Sequence, residues 1–337
     1  MNEMLFLELL EYAALLATFL IGFTVTYLLT PIIASRMARS GIVGIDVHKL
    51  DKRKVPEMGG LSILVGLIVS TIVSMVIFPE QVMKFLAFLL TVLIAGFVGV
   101  RDDIKPLNPK LKPLLTAAAS IPILLLGVFY PRPSLPFIGK TRLTIVYPLI
   151  IPFAVAVPAN AVNMMNPFNG VMTGTCSIIS LALAISMIVA GRTGEAILSV
   201  ALLGCLLAFH RFNKYPARVF SGDTGDLSVG AALGALAIIG QVEVAALVAM
   251  IPHIINAFYL LSTLGGLYER RQISNRPTRV LSDGRIEATD DRRAPVTLAR
   301  MILAQSPLRE PEVVSIMIAL TAVASAFAVF TQLLIPR

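Results

Sequence analysis

Ten apolar runs, most of them close to twenty residues long, are the feature that most limits how this chain can fold. They cover residues 12–34, 58–79, 81–100, 113–130, 143–163, 171–191, 196–209, 227–241, 244–268 and 313–336. The hydrocarbon layer of a bilayer is about 30 Å thick and a helix rises about 1.5 Å per residue, so about twenty residues cross it. Inside that layer every backbone N–H and C=O must be paired within the protein, which restricts spanning structure to helices and closed barrels. Long runs without polar/apolar alternation predict helices. The expected fold is therefore an all-α integral membrane protein with about ten transmembrane helices, forming one domain over residues 1–337. The seventh and eighth runs are short and should extend into their polar flanks. Only 14% of residues are charged, against roughly 25% in soluble chains. The first run is too long for a cleaved signal and follows acids (Glu3, Glu8, Glu11), not bases. Cys176 and Cys205 fall in predicted spans and read as small apolar packing residues.

Ten spans place successive loops on alternate sides. Most of the 28 lysines and arginines fall on one side, in loops 35–57, 101–112, 210–221 and 269–311, which alternate with few basic residues opposite. The positive-inside rule puts that side in the cytoplasm and both termini across the membrane. Part of the +8 net charge is accounted for by this topogenic signal alone, and no nucleic-acid partner is expected. The insert 269–311 is the only cytoplasmic loop long enough to carry its own structure. Within it, 278–288 reads as a hairpin turning at Ser282-Asp283-Gly284, and 297–304 as a short amphipathic helix. No internal repeat supports a transporter built from repeated halves.

Polar residues interrupt the apolar pattern at one membrane face. Asp102 and Asp103 end the third run; carboxylates at the mouth of a spanning helix are costly and mark a metal, a proton path or a substrate. At a helix C-terminus they also oppose the macrodipole. Lys112 opens the next run, where it is either a snorkelling anchor or a phosphate contact. Asn160 and Asn163, three apart, share a helix face inside an apolar run, and Asn166 to Gly170 form a turn. Amide oxygens suit Mg²⁺ and amide N–H groups suit phosphate. Before the eighth run, Ser221 or Asp223 caps a helix whose free N–H groups suit phosphate, and Phe220 offers a face for a nucleobase. In the first loop Glu57 lies near a helix start, while His48 reads as a bystander. Arg276 and Arg279 are either solvated charges or a grip on diphosphate. Hard oxygen ligands at one bilayer surface point to Mg²⁺ and phosphate chemistry on a lipid.

With the motifs KVPEMGG, VRDDIKPLNPKLKP, NAVNMMNPFNG, RVFSGDTGD and NRPTRV in this order, nearly the whole chain resembles the polyprenyl-phosphate N-acetylhexosamine-1-phosphate transferase family. LKPLLTAAASIPILLLG, YPARVFSGDT and the hairpin insert are similar to its eukaryotic and archaeal branch. The resemblance implies transfer of GlcNAc-1-phosphate from UDP-GlcNAc to a polyprenyl (dolichyl) phosphate among the membrane lipids. UMP leaves, GlcNAc-diphospho-polyprenol forms, and this step opens lipid-linked oligosaccharide assembly. It implies Mg²⁺, with Mn²⁺ as a substitute, a homodimer and sensitivity to tunicamycin-type inhibitors. Asn163 and Asp223 would be the metal ligands, and Lys112 would contact phosphates. Asp102 and Asp103 would organise phosphates or acceptor. Phe220 would stack on uracil, and Glu57, Asn160 and Asn169 would line the nucleotide and sugar pocket. Arg276 or Arg279 would hold diphosphate. Pro106 stands where some relatives carry an acid or amide. The alternative is a bacterial-type transferase using undecaprenyl phosphate. A muramyl-pentapeptide donor is disfavoured, because no histidine follows His253.

Overall fold

The computed structural model describes residues 2–266 and 275–336. The last two residues expected in the ninth run, 267 and 268, and the first residues of the insert, 269–274, lie outside the described residues. Helix α1 (Asn2–Arg39) leads through the hairpin β1 (Val43–Ile45) and β2 (Lys54–Pro56) into α2 (Gly60–Ile77). A 3-10 turn at Pro79–Gln81 opens α3 (Val82–Ile104). Two short helices, α4 (Leu111–Ala118) and α5 (Ile121–Leu125), precede a small hairpin of β3 (Ser134–Leu135) and β4 (Gly139–Lys140). The spans α6 (Val146–Met164), α7 (Val171–Val189), α8 (Thr193–Asn213) and α9 (Gly222–Ile239) follow. Next come α10 (Glu243–Ala249) and α11 (Ile251–Leu264), bent by 63° at their junction. In the insert β5 (Thr278–Val280) pairs antiparallel with β6 (Ile286–Ala288), ahead of α12 (Leu298–Ile302) and α13 (Glu310–Leu333).

Among the described residues eight helices are long and apolar enough to cross a membrane, or nine if α10 and α11 form one span. The difference from ten lies in the fourth run. Its helical part, Leu111–Leu125, would extend only about 22 Å if straight, and it is broken between α4 and α5. Ser120 turns its hydroxyl back onto the Ala117 carbonyl (2.7 Å), Pro122 sits in the first turn of α5, and Gly127 (φ +62°) stops the helix. Pro252 acts similarly in the ninth run: it lies in the first turn of α11 and lacks the N–H that a continuous helix would need. The short seventh and eighth runs do extend into their flanks, to Asn213 in α8 and back to Gly222 in α9.

Helix α9 runs through the centre of the bundle. Its span is 89% buried, and it packs chiefly on α3 and α6. Small residues allow backbones to approach this closely. At Gly99 in α3, a Cβ would lie 2.4 Å from the Asp223 carbonyl oxygen, so only glycine lets the end of α3 meet the start of α9. The end of α3 (Asp102, Asp103), the end of α6 (Asn163) and the start of α9 (Asp223) thereby come together at one end of the bundle. At the other end the 134–140 hairpin touches the end of α13, where the Phe137 N–H donates to the Leu334 carbonyl (3.3 Å).

Candidate active site

The two adjacent aspartates at the end of α3 have different partners. Asp103 turns toward α9. Its Oδ1 accepts the Asp223 N–H (2.7 Å), and its Oδ2 accepts the Thr224 N–H (3.0 Å) and hydroxyl (2.6 Å). The first N–H groups of a helix have no partner within it, and a carboxylate there also meets the positive end of the macrodipole. Asp103 is thus a tertiary N-terminal clamp on α9. Gly222 makes room for it, because with φ +68° a Cβ would fall 2.6 Å from Asp103 Oδ2.

Asp102 faces the other way. Its Oδ1 accepts the Leu107 N–H (2.6 Å), which turns the chain after α3, and its Oδ2 accepts from Lys112 Nζ (3.0 Å). The same ammonium donates to Asp223 Oδ2, while Asp223 Oδ1 accepts from Asn163 Nδ2 (2.8 Å). One cation therefore joins carboxylates from the ends of two spanning helices. Asn160, one turn before Asn163, is anchored through Nδ2 to Thr116 Oγ1 (2.9 Å) in α4.

These side chains line a cavity of about 470 Å³, within the usual range for small-molecule sites. Asp102, Asp103, Lys112 and Asp223 form its charged part, with the Asn163 amide among them. His48, Glu57, Asn160, Asn166 and Phe168 form a further wall, and Arg276 and Thr278 reach it from the insert. Leu107, Leu260, Leu261 and Leu264 give it an apolar edge between the approach to α4 and the end of α11. Four carboxylates (Glu57, Asp102, Asp103, Asp223) stand against two fixed cations (Lys112, Arg276).

Three residues expected in the pocket are not part of its lining. Asn169 is buried behind the wall, with its Nδ2 on Asp46 Oδ2 (3.0 Å) and its N–H on Glu310 Oε1 (2.9 Å). Phe220 is built into the approach to α9; its N–H donates to the Pro56 carbonyl (2.8 Å), and its carbonyl accepts from Gly59 (2.8 Å). Arg279 lies on the outer face of the hairpin, 60% exposed and paired with Glu287. Arg276 is the insert arginine that reaches the cavity.

Other wall residues had no clear signal in the sequence. His48 packs against Phe168 with the rings tilted by 54° and their centroids 4.6 Å apart. Asn166, expected as a turn residue, donates to both oxygens of the buried Asp226 (3.0 and 2.9 Å) and to Ser221 Oγ (3.2 Å). Asn256 in α11 joins the Met164 carbonyl (3.2 Å) to the Leu298 N–H (2.8 Å) and so fixes the insert against α6. An Asn in a predicted span was the one hint available for the last of these.

Among the described residues no group of three His, Cys, Asp or Glu side chains is arranged to cage a metal ion. Asp102 and Asp223 nonetheless bring hard carboxylate oxygens together on Lys112, which balances their charge, with the Asn163 amide beside them on Asp223. This donor set fits a Mg²⁺ that takes one or two carboxylates and completes its shell with water and substrate phosphate.

Residues 85–241, which run from α3 to just past α9 and include Asp102, Lys112, Asn163 and Asp223, match the profile of Glycosyl transferase family 4. Over 322 residues the chain is 30% identical to a protein of Saccharolobus solfataricus, covering 95% of this chain and 97% of that one. The chain belongs to glycosyl transferase family 4. The Saccharolobus relative carries the provisional name UDP-N-acetylglucosamine–dolichyl-phosphate N-acetylglucosaminephosphotransferase. So does a protein of Sulfolobus acidocaldarius, 32% identical over 74% of this chain and 78% of its own length. A phospho-N-acetylmuramoyl-pentapeptide-transferase of Bacillus licheniformis is 31% identical over 68% of this chain and 76% of its own. Family membership and the apolar helices together make this a multi-pass integral membrane protein.

Proposed function

We propose that the protein transfers GlcNAc-1-phosphate from UDP-GlcNAc to a polyprenyl phosphate of the dolichyl type, releasing UMP at the cytoplasmic face. The observation that carries this reading is the single cavity in which the charged cluster of Asp102, Lys112, Asn163 and Asp223 shares a space with an apolar edge. A phosphate on a lipid needs both. Two archaeal relatives with names of this activity support the choice of donor and acceptor.

In this reading the acceptor's tail leaves toward the membrane past Leu107 and Leu260–Leu264, and its phosphate meets the donor beside Lys112. A phosphate monoester has a second pKa near ~6, so at pH 7 it is already largely dianionic. Its oxygen attacks the β-phosphorus of the donor, the bond to the bridging oxygen breaks, and UMP departs. Lys112 and Arg276 offset phosphate charge, while Asn160 orients oxygens of donor and sugar. The work of the protein is mainly alignment and electrostatics. Two phosphorylated substrates approaching an excess of carboxylates repel strongly in a site shielded from water. A Mg²⁺ held by Asp102, Asp223 and Asn163 would supply charge neutralisation on the diphosphate.

Incubating purified protein with UDP-GlcNAc, dolichyl phosphate and Mg²⁺ should release UMP, and EDTA should abolish the release. Turnover that persists in EDTA contradicts the metal, and silence with every acceptor tried contradicts the reaction. Parallel incubations with undecaprenyl phosphate and with the UDP-muramyl-pentapeptide donor separate the bacterial-type alternatives; the latter donor is expected to be inactive. Asp102 already accepts two hydrogen bonds, and the acceptor needs no base. Asp102→Asn is therefore expected to retain measurable turnover, about 0.1–1% of the parent, in the same assay, taking the loss of one electrostatic contact as roughly 10²- to 10³-fold. Loss of all turnover with UMP binding intact would assign Asp102 the role of an obligatory base.

A further inference from the structure

We propose that Glu310, Lys49 and Asp46 form a buried ionic brace that positions the donor-binding wall of the cavity, with Glu310 as the central positioning residue. The inference rests on the proposed function above. Glu310, the first residue of α13, and Asp46, in the first loop, are each only 3% exposed. The Lys49 ammonium donates to Glu310 Oε2, lies 3.5 Å from Asp46 Oδ2 and sits 4.3 Å from the Tyr215 ring centroid. Asn169 is held at both ends, its N–H by Glu310 Oε1 (2.9 Å) and its Nδ2 by Asp46 Oδ2 (3.0 Å). Arg53 extends the set by donating to the Ala217 carbonyl (3.0 Å). Four segments distant in sequence are tied at one point: the first loop, the Asn-rich turn, the α8–α9 connection and the start of α13.

The members of the brace lie behind the lining, and their sequence neighbours form it. His48 lies between Asp46 and Lys49, and Phe168 precedes Asn169. Their rings, in tilted contact, are the part of the wall that the brace sets. The apolar edge at Leu260–Leu264 serves the lipid, which leaves the His48–Phe168 wall for the water-soluble donor, whose base can pack on an aromatic ring of that wall. Apolar side chains could join these segments at least as firmly as buried charges do. What the ionic set adds is direction, since the two oxygens of Glu310 meet different donors, Lys49 and the Asn169 N–H, while Asp46 Oδ2 gathers Asn169 and Lys49.

Glu310→Gln keeps an acceptor for the Asn169 N–H and removes the charge facing Lys49. It is expected to raise KM for UDP-GlcNAc about tenfold, a difference worth one decade of affinity. The kcat should stay within about twofold, and KM for polyprenyl phosphate should not move. Asp46→Asn is the milder second variant, with the same direction expected, and it decides the matter should Glu310→Gln fail to fold. Lys49→Arg, which keeps the cation, should retain a donor KM near the parent value. A brace that only stabilises the fold would lower the active fraction, and so Vmax, without moving KM. Unchanged donor KM in the folded variants, or an equal rise for both substrates, overturns the inference. Parent protein that releases no UMP would instead refute the proposed function.

Discussion

Replacing Asp223 by alanine is expected to lower UMP release at saturating substrates by roughly 10³-fold, the loss typical of removing one preorganised electrostatic group. Asp223 is where the site converges. Its carboxylate accepts from Lys112 of α4 and Asn163 of α6, and its backbone opens α9. Without it, Lys112 is left paired with Asp102 alone, the oxygen set proposed for Mg²⁺ loses a carboxylate, and Asn163 loses the partner that orients its amide. The fold should survive. The first turn of α9 is held by Asp103 through the N–H groups of residues 223 and 224, and neither bond uses the Asp223 side chain. Asp223→Asn, which preserves size, should show nearly the same loss of kcat with an unchanged melting temperature in detergent. A variant that keeps more than about a tenth of the parent rate would remove Asp223 from the reaction.

The convergence of Asp102, Lys112, Asn163 and Asp223 at one end of the bundle was legible in the sequence because each interrupts or borders an apolar run. A membrane leaves few places for such residues, so alternation of spans puts them at the same end. The helical nature of the runs was legible for the same reason. The broken fourth run was harder to see, although Ser120, Pro122 and Gly127 mark it, since apolar content says nothing about continuity. Residues outside the spans carried less information. Phe220 and Asn169 sit in loops, where the facing direction depends on partners far away in sequence: Pro56 and Gly59 for Phe220, Asp46 and Glu310 for Asn169; Arg279 sits in the hairpin, where its direction follows from the strand register that sets it opposite Glu287. Glu310 reads locally as an acid that suits a helix N-terminus. Its pairing with Lys49, 261 positions away, exists only in the folded chain.

Asp103→Ala should have the largest effect on stability. It removes three hydrogen bonds to one carboxyl group and leaves the N–H groups of residues 223 and 224 without that partner at a half-buried helix start. A single hydrogen bond contributes ~0.5–1.5 kcal/mol, and leaving a buried donor unpaired costs ~1–3 kcal/mol. The three are not independent, so a combined loss of about 3 kcal/mol or more is expected, placing the substitution among the severe ones. Activity should fall with it, because the first turn of α9 carries Asp223 against Lys112. Asp103→Asn should not rescue. An amide matches the shape but turns an N–H₂ group toward positions where both partners donate. Asp103→Glu should fail for a different reason: the carboxylate already lies where a Cβ on Gly222 would clash, so a longer side chain has no room. Melting temperature in detergent, with hydrogen exchange of the amides at 223–225, distinguishes this clamp from a direct catalytic part. Loosened amides and a lowered melting temperature in both Ala and Asn variants are expected. Full protection at 223–225 together with lost turnover would mean that Asp103 acts on the substrate and that something else holds α9 in place.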